Sequence, residues 1–182
     1  MTLATDRETR QMVALNADVV GYSRLMADDF SATTAAMDEY HRLVEEKVSA
    51  TRYLGQWEKS VELLDRAMRL TQVINPWYPT IQACSLYIGH RLEGAASTAE
   101  AVLEHQPHNL EALLVLAASQ HEMGLDRRAR ATAELVKERY PAMDVDAWLA
   151  AHPYQSPLLV ERWRKTLTEL GLIKSGGDAA QE

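Results

Sequence analysis

Three groups of side chains in this sequence have types and spacings that chemistry uses. His105-x2-His108 brackets Pro107 and offers two imidazoles to a metal. A zinc site takes three or four protein ligands, and no third His or Cys is placed beside this turn. The spacing fits solvated residues at a helix end better than a metal site. Cys84 is the only thiol and lies with Leu86 and Ile88 in a helical stretch. No His or Asp is placed to activate it, so a packed thiol is expected rather than a nucleophile. Arg127-Arg128-x-Arg130 opens a helix, where positive charge opposes the helix dipole. It reads as a solvated basic face, with an acidic partner as the alternative. There is no Walker A loop and no dinucleotide glycine motif.

None of these groups suffices for catalysis, so the elements that would hold them carry the reading. The chain has 182 residues, enough for one compact domain or a short solenoid. It is 47% hydrophobic with one Phe and few Gly and Pro, which suits packed helices better than a β-sandwich. The formal charge of -7 argues against nucleic-acid binding, which needs a basic surface. A single cysteine excludes an internal disulfide and fits a reducing compartment. The longest apolar run, near Leu110 to Ala118, is too short to cross a bilayer. The N-terminus lacks a basic-then-apolar signal pattern. A soluble cytoplasmic protein without membrane contact is expected.

Gln11 to Val20 is a short apolar run, readable as a buried strand or a piece of buried helix, and Gly21 breaks it. Asp29 or Ser31 is placed to cap a helix over about 32–53, with Met37, Tyr40, Leu43, Val44, Lys47 and Val48 mostly on one face. A second helix spans Trp57 to Leu70, with Trp57, Val61, Leu64 and Met68 apolar. Pro76 and Pro79 mark a connector. Further helices follow at Thr80–His90, Glu93–His105, Leu110–Met123 and Arg127–Tyr140, the last with Asp126 as its expected cap. A helical turn is expected at Ala147–Ala151 and a final amphipathic helix at Leu158–Leu170. Residues 173–182 read as a disordered tail.

Shifting the chain by 34 residues lays Gly124 on His90, Ala129 on Ala95, Val136 on Val102 and Pro141 on Pro107. About one period earlier, Gly55, Ser60, Leu64 and Ala67 fill the same positions. Ser60, Ala95 and Ala129 are expected where helices cross closely, since a larger side chain would push the axes apart. The segment from Asn109 to Pro141 resembles a tetratricopeptide repeat: Leu113-x2-Leu116-Ala117-x2-Gln120, then Ala129-x3-Ala133, then Pro141. The resemblance implies an all-α fold, a short right-handed α-solenoid of helix hairpins over 51–172. Helix 32–53 serves as its first helix and the last helix as a cap.

Ala17-Asp18-Val19-Val20-Gly21-Tyr22-Ser23-Arg24-Leu25-Met26 resembles the opening of a class III adenylate/guanylate cyclase domain. In that family the aspartate matching Asp18 binds catalytic metal, and a second aspartate on a later Gly-Asp-Gly hairpin completes the two-metal site. The resemblance covers about forty residues, making 1–50 a cyclase-like remnant. The second aspartate has no counterpart, because Gly177-Asp178 is followed by Ala. Asp18 therefore reads as an orphaned carboxylate, a vestigial metal ligand. Mg²⁺ is implied only if the cyclase reading holds, and otherwise no cofactor is expected.

The leading reading is a noncatalytic scaffold that binds a protein or peptide, with self-association as a further mode. The competing reading is a fragment or subunit of a class III cyclase. The tetratricopeptide resemblance implies that the first helices of successive units line a groove. By register its wall is Arg42, Glu45, Ser49 and Arg52, then Trp77, Thr80, Cys84 and Tyr87, then Glu111, Leu114, Ala118 and His121. Tyr87→Ala is expected to weaken a bound partner by about 1–2 kcal/mol with the helices intact.

Overall fold

The computed structural model describes residues 30–70 and 75–174. The apolar run at 11–20, Asp18 and the stretch 175–182 lie outside the described residues. Among those described, every regular element is a helix: α1 Phe30–Tyr53, α2 Trp57–Leu70, α3 Tyr78–Ile88, α4 Leu92–His105, α5 Leu110–Glu122, α6 Asp126–Arg139, α7 Val145–Ala150 and α8 Pro157–Glu169.

Each helix packs on the next through α6, in the manner of an array of helical hairpins. Three further contacts give the array a second layer: α5 also lies against α3, and α8 lies against α5 and α7. The larger core runs from Ala83 through Trp163 and Leu167 to Ile173. A smaller one joins Tyr40, Val44 and Val48 of α1 to Leu64 and Ala67 of α2 and to Tyr78 and Ile81 of α3.

The turns repeat more faithfully than the helices. Gly55, His90 and Gly124 have φ of 75°, 56° and 74°, and Gly171 has 67°. At each, the residue's own N–H bonds to the carbonyl three back, and the next N–H to the carbonyl five before it. Gly124 thus reaches His121 and Leu125 reaches Gln120, at 2.9 and 2.8 Å. This closure satisfies the last carbonyls of a helix and needs a left-handed residue, which glycine adopts without strain. His90 does the same work with a side chain present, and the 34-residue self-match had placed it opposite Gly124.

The crossings are where the small residues are. Ser60, Ala95 and Ala129 are all fully buried. The hydroxyls of Ser60 and Ser85 meet at 2.7 Å between α2 and α3. Gly89 serves another close approach: a Cβ there would lie 2.2 Å from the Trp57 ring.

Several expectations need correction. Pro79 does not stand outside α3 but in its first turn, where its missing N–H has no intrahelical partner to lose. Asp126 is the first residue of α6 and supplies no side-chain cap; Leu125 holds the cap position. The side-chain caps are at Asn109, Asp144 and Ser156, each accepting an N–H three residues on. In α2 the enclosed positions are Ser60, Leu64 and Ala67, whereas Trp57, Val61 and Met68 are half-buried. Ile173, the first residue of the expected tail, is instead buried in the main core.

Candidate functional site

The face shared by α1, α3 and α5 is where the expected groove lies. α3 and α5 are buried nearly all round: Ala112 through Gln120 of α5 are buried without a break. A helix apolar on every side is enclosed on every side. The outer helices of the hairpins enclose one side. The other receives the chain's own C-terminal segment, from Tyr154 to the end of α8.

That segment touches the C-terminal ends of all three inner helices. The Gln155 N–H donates to the Tyr53 carbonyl at the end of α1, at 2.8 Å. At the end of α3, the Trp163 ring packs on the Tyr87 ring with centroids 4.3 Å apart. The Arg162 guanidinium sits over the other part of this site, 4.2 Å from the Tyr87 centroid, and donates to the Tyr87 carbonyl at 3.0 Å. At the end of α5, Arg162 Nε donates to both oxygens of Glu122 at 3.0 Å, and its Nη2 lies 2.8 Å from Oε2. The Tyr87 hydroxyl and the Thr166 hydroxyl also donate to Glu122 Oε1. His121 pairs with Glu169 at 2.9 Å and lies 3.7 Å from Asp126.

These contacts set the titration of the group. Burial would raise the Glu122 carboxyl, but hydrogen bonds from Arg162 and Tyr87 outweigh it and hold its pKa below the ordinary value. Burial and the Glu122 carboxylate both push the Tyr87 phenol upward. Tyr87 thus stays neutral and donates, and Glu122 stays charged and accepts.

A second polar cluster lies nearer the N-terminal end of α5. Arg52 Nη1 donates to Glu111 Oε1 at 2.7 Å, and Nη2 donates to the Tyr53 hydroxyl at 2.8 Å. The Cys84 thiol donates to the same Glu111 oxygen at 3.0 Å. Burial and the Glu111 charge drive the Cys84 pKa up, so it is held as a thiol with no nucleophilic character. Burial alone would lower the Arg52 pKa, but the surrounding acidic and phenolic groups reverse this.

The expected groove residues therefore fall into two sets. Arg52, Thr80, Tyr87 and Leu114 are buried, as are Cys84 and Ala118. Trp77, Glu111 and His121 are half-buried. Thr80 accepts from Asn109 Nδ2 at 2.9 Å, and Trp77 meets the Tyr78 ring edge-on. Of these, Arg52 and Glu111 meet directly, and the buried members leave the face closed along much of its length. Tyr87→Ala would remove core packing, so it cannot report binding alone. Sequence reading missed Glu122, Arg162 and Trp163 as the joint of this face. The signal was available in α5, whose run from Ala112 to Ala118 has no polar stripe to give to solvent.

The other chemical candidates disperse. His105 and His108 are exposed, and no group of three or more His, Cys, Asp or Glu side chains among the described residues is placed to hold a metal ion. Arg127, Arg128 and Arg130 are exposed, with Arg128 paired to Glu100 at 2.9 Å. No helix among the described residues is long and apolar enough to cross a membrane. Neither known protein families, nor curated proteins, nor solved structures provide a match to the chain.

Proposed function

We propose that the protein is a noncatalytic scaffold of tetratricopeptide type that binds protein or peptide through the face of α1, α3 and α5. The observation that carries this reading is the way that face already treats a polypeptide. The ends of three helices, far apart in sequence, converge on one segment and hold it by a main-chain bond at Tyr53, a ring at Tyr87 and a carboxylate at Glu122. Main-chain contact together with a few charged and aromatic anchors is how peptide-binding grooves obtain affinity and specificity. The half-buried Trp77, with Arg42 and Glu45 exposed on the neighbouring turn of α1, extends the same face beyond the segment.

The reading is tested by immobilising the full chain and capturing proteins from a native lysate, with Trp77→Ala and Glu45→Arg variants beside it. A partner retained by the wild type and lost from both variants is expected. Retention that neither substitution alters would move binding off this face and sink the reading.

A further inference from the structure

The segment from Tyr154 to Ile173 fills the part of the inner face with the best anchors, yet it fits imperfectly. Trp163 is fully buried, but its Nε1–H has no hydrogen-bond partner; the buried Tyr154 hydroxyl has none either. A buried donor left unmade weakens whatever holds it there. A different segment with an aromatic or aliphatic residue free of such a group would lose nothing at these positions. The carboxylate anchor, by contrast, is well used, although Arg162 Nη2 makes no hydrogen bond of its own. Glu122 accepts from Arg162, Tyr87 and Thr166, and the guanidinium is stacked on the Tyr87 ring. The segment is joined to α7 through residues 151–156, where Ala151, Pro153 and Gln155 are exposed.

We propose that residues 154–173 act as a tethered ligand: they occupy the partner site in the free protein and yield it to a helix of another protein that carries an arginine followed by a large apolar residue. The inference rests on the polypeptide-binding reading above and names the partner's chemistry for the same face. Glu122 selects the arginine because a carboxylate takes a guanidinium through paired hydrogen bonds. Tyr87 selects against lysine, whose compact ammonium stacks less well on a ring than a planar guanidinium does. The slot holding Trp163 takes the neighbouring apolar side chain. Thr166, one helical turn beyond Arg162, reaches the same carboxylate, a spacing that a helical occupant supplies. Tethering gives the chain's own segment a high effective concentration, so an outside helix competes only when its contacts are better or the tether's are weakened.

The test uses the full chain and a labelled synthetic peptide of residues 153–174 as the probe helix. Arg162→Ala removes the chain's own arginine while leaving Glu122 and Tyr87 to receive the peptide's. It is expected to bind the peptide at least about tenfold more tightly than the wild type. Adding Glu122→Gln should abolish that gain. Arg164 lies on the same helix but pairs with Asp146 at 3.1 Å, so Arg164→Ala should bind as the wild type does. Equal affinity of wild type and Arg162→Ala would overturn the tethered-ligand inference while leaving polypeptide binding standing. Binding by neither would overturn both. A concentration-dependent dimer of Arg162→Ala with unchanged peptide affinity would assign the face to a second copy and also overturn it. If Arg162→Ala does not fold, a protease site placed at residues 151–153 of the wild type gives the same comparison. The cut segment should exchange with labelled peptide, and a cut chain that never exchanges overturns the inference.

Discussion

α5 and α6 are consecutive helices of one hairpin, and they meet opposite fates. In α6 the buried residues are Ala129, Thr132, Ala133 and Val136, a single stripe at helical spacing with charged side chains around the rest. In α5 nine consecutive residues are buried. α6 has a protein side and a solvent side, whereas α5 has protein on both. The difference shows that a hairpin array leaves its inner helices a choice, and this chain settles it by folding its own C-terminal segment over them.

The sharpest way to break the comparison is to put a charge into each side of α6. Ala129→Glu buries a carboxylate without a partner and is expected to destabilise by about 4 kcal/mol or more. Arg130→Glu, on the exposed side next to it, is expected to stay within about 0.5 kcal/mol. Chemical denaturation of the pair reads both, and an Ala129→Glu protein as stable as wild type would show that the stripe is misplaced.

Next in size is Leu114→Ala, on the side of α5 that the groove register assigns to a partner. Enclosure predicts a loss of about 2–5 kcal/mol, as for a leucine in a packed core. Leu135→Ala on α6, where the leucine is 37% exposed, should cost under about 1 kcal/mol. Similar values for the two would mean that α5 is no more covered than α6.

A smaller effect concerns the polar anchor of the cover. The folded pKa of Glu122 is lowered below its ordinary value of 4.5. The unfolded chain therefore takes up the proton first as pH falls. The contribution of Glu122 is present above about pH 4.5 and is lost as pH drops through the lowered folded value. Thermal melts between pH 6 and pH 3 should fall less steeply for Glu122→Gln than for wild type. Parallel curves would remove Glu122 from the joint between α5 and α8.

The smallest expected effect lies in the turns, which are common to inner and outer helices alike. His90 holds a left-handed φ of 56° where Gly55 and Gly124 fill the matching turns. His90→Gly relieves the backbone strain and gives back part of it as chain entropy, for a net gain of up to about 1 kcal/mol. A loss of stability on this substitution would mean that the His90 side chain makes a contribution larger than the strain.

By itself the sequence determined the elements and their order. The helix at Trp57–Leu70 was readable to the residue, and the others to within a few positions, because apolar spacing, prolines and turn residues act locally. The 34-residue self-match also placed the small residues at crossings and laid His90 on Gly124, whose left-handed φ it proves to share, since both follow from a repeated backbone path. The same repeat gave the register of Arg52, Trp77, Tyr87, Glu111 and His121, of which Arg52 and Glu111 meet directly. What covers these helices was not legible. The meeting of Arg162 with Glu122 spans forty positions in the chain, and that of Gln155 with Tyr53 about a hundred. No local rule links such residues: Arg162 alone reads as a surface charge on an amphipathic helix, and Trp163 as the apolar face of a terminal cap. Only the path of 151–156 back across α1, α3 and α5 decides that this charge and this ring pack against Glu122 and Tyr87.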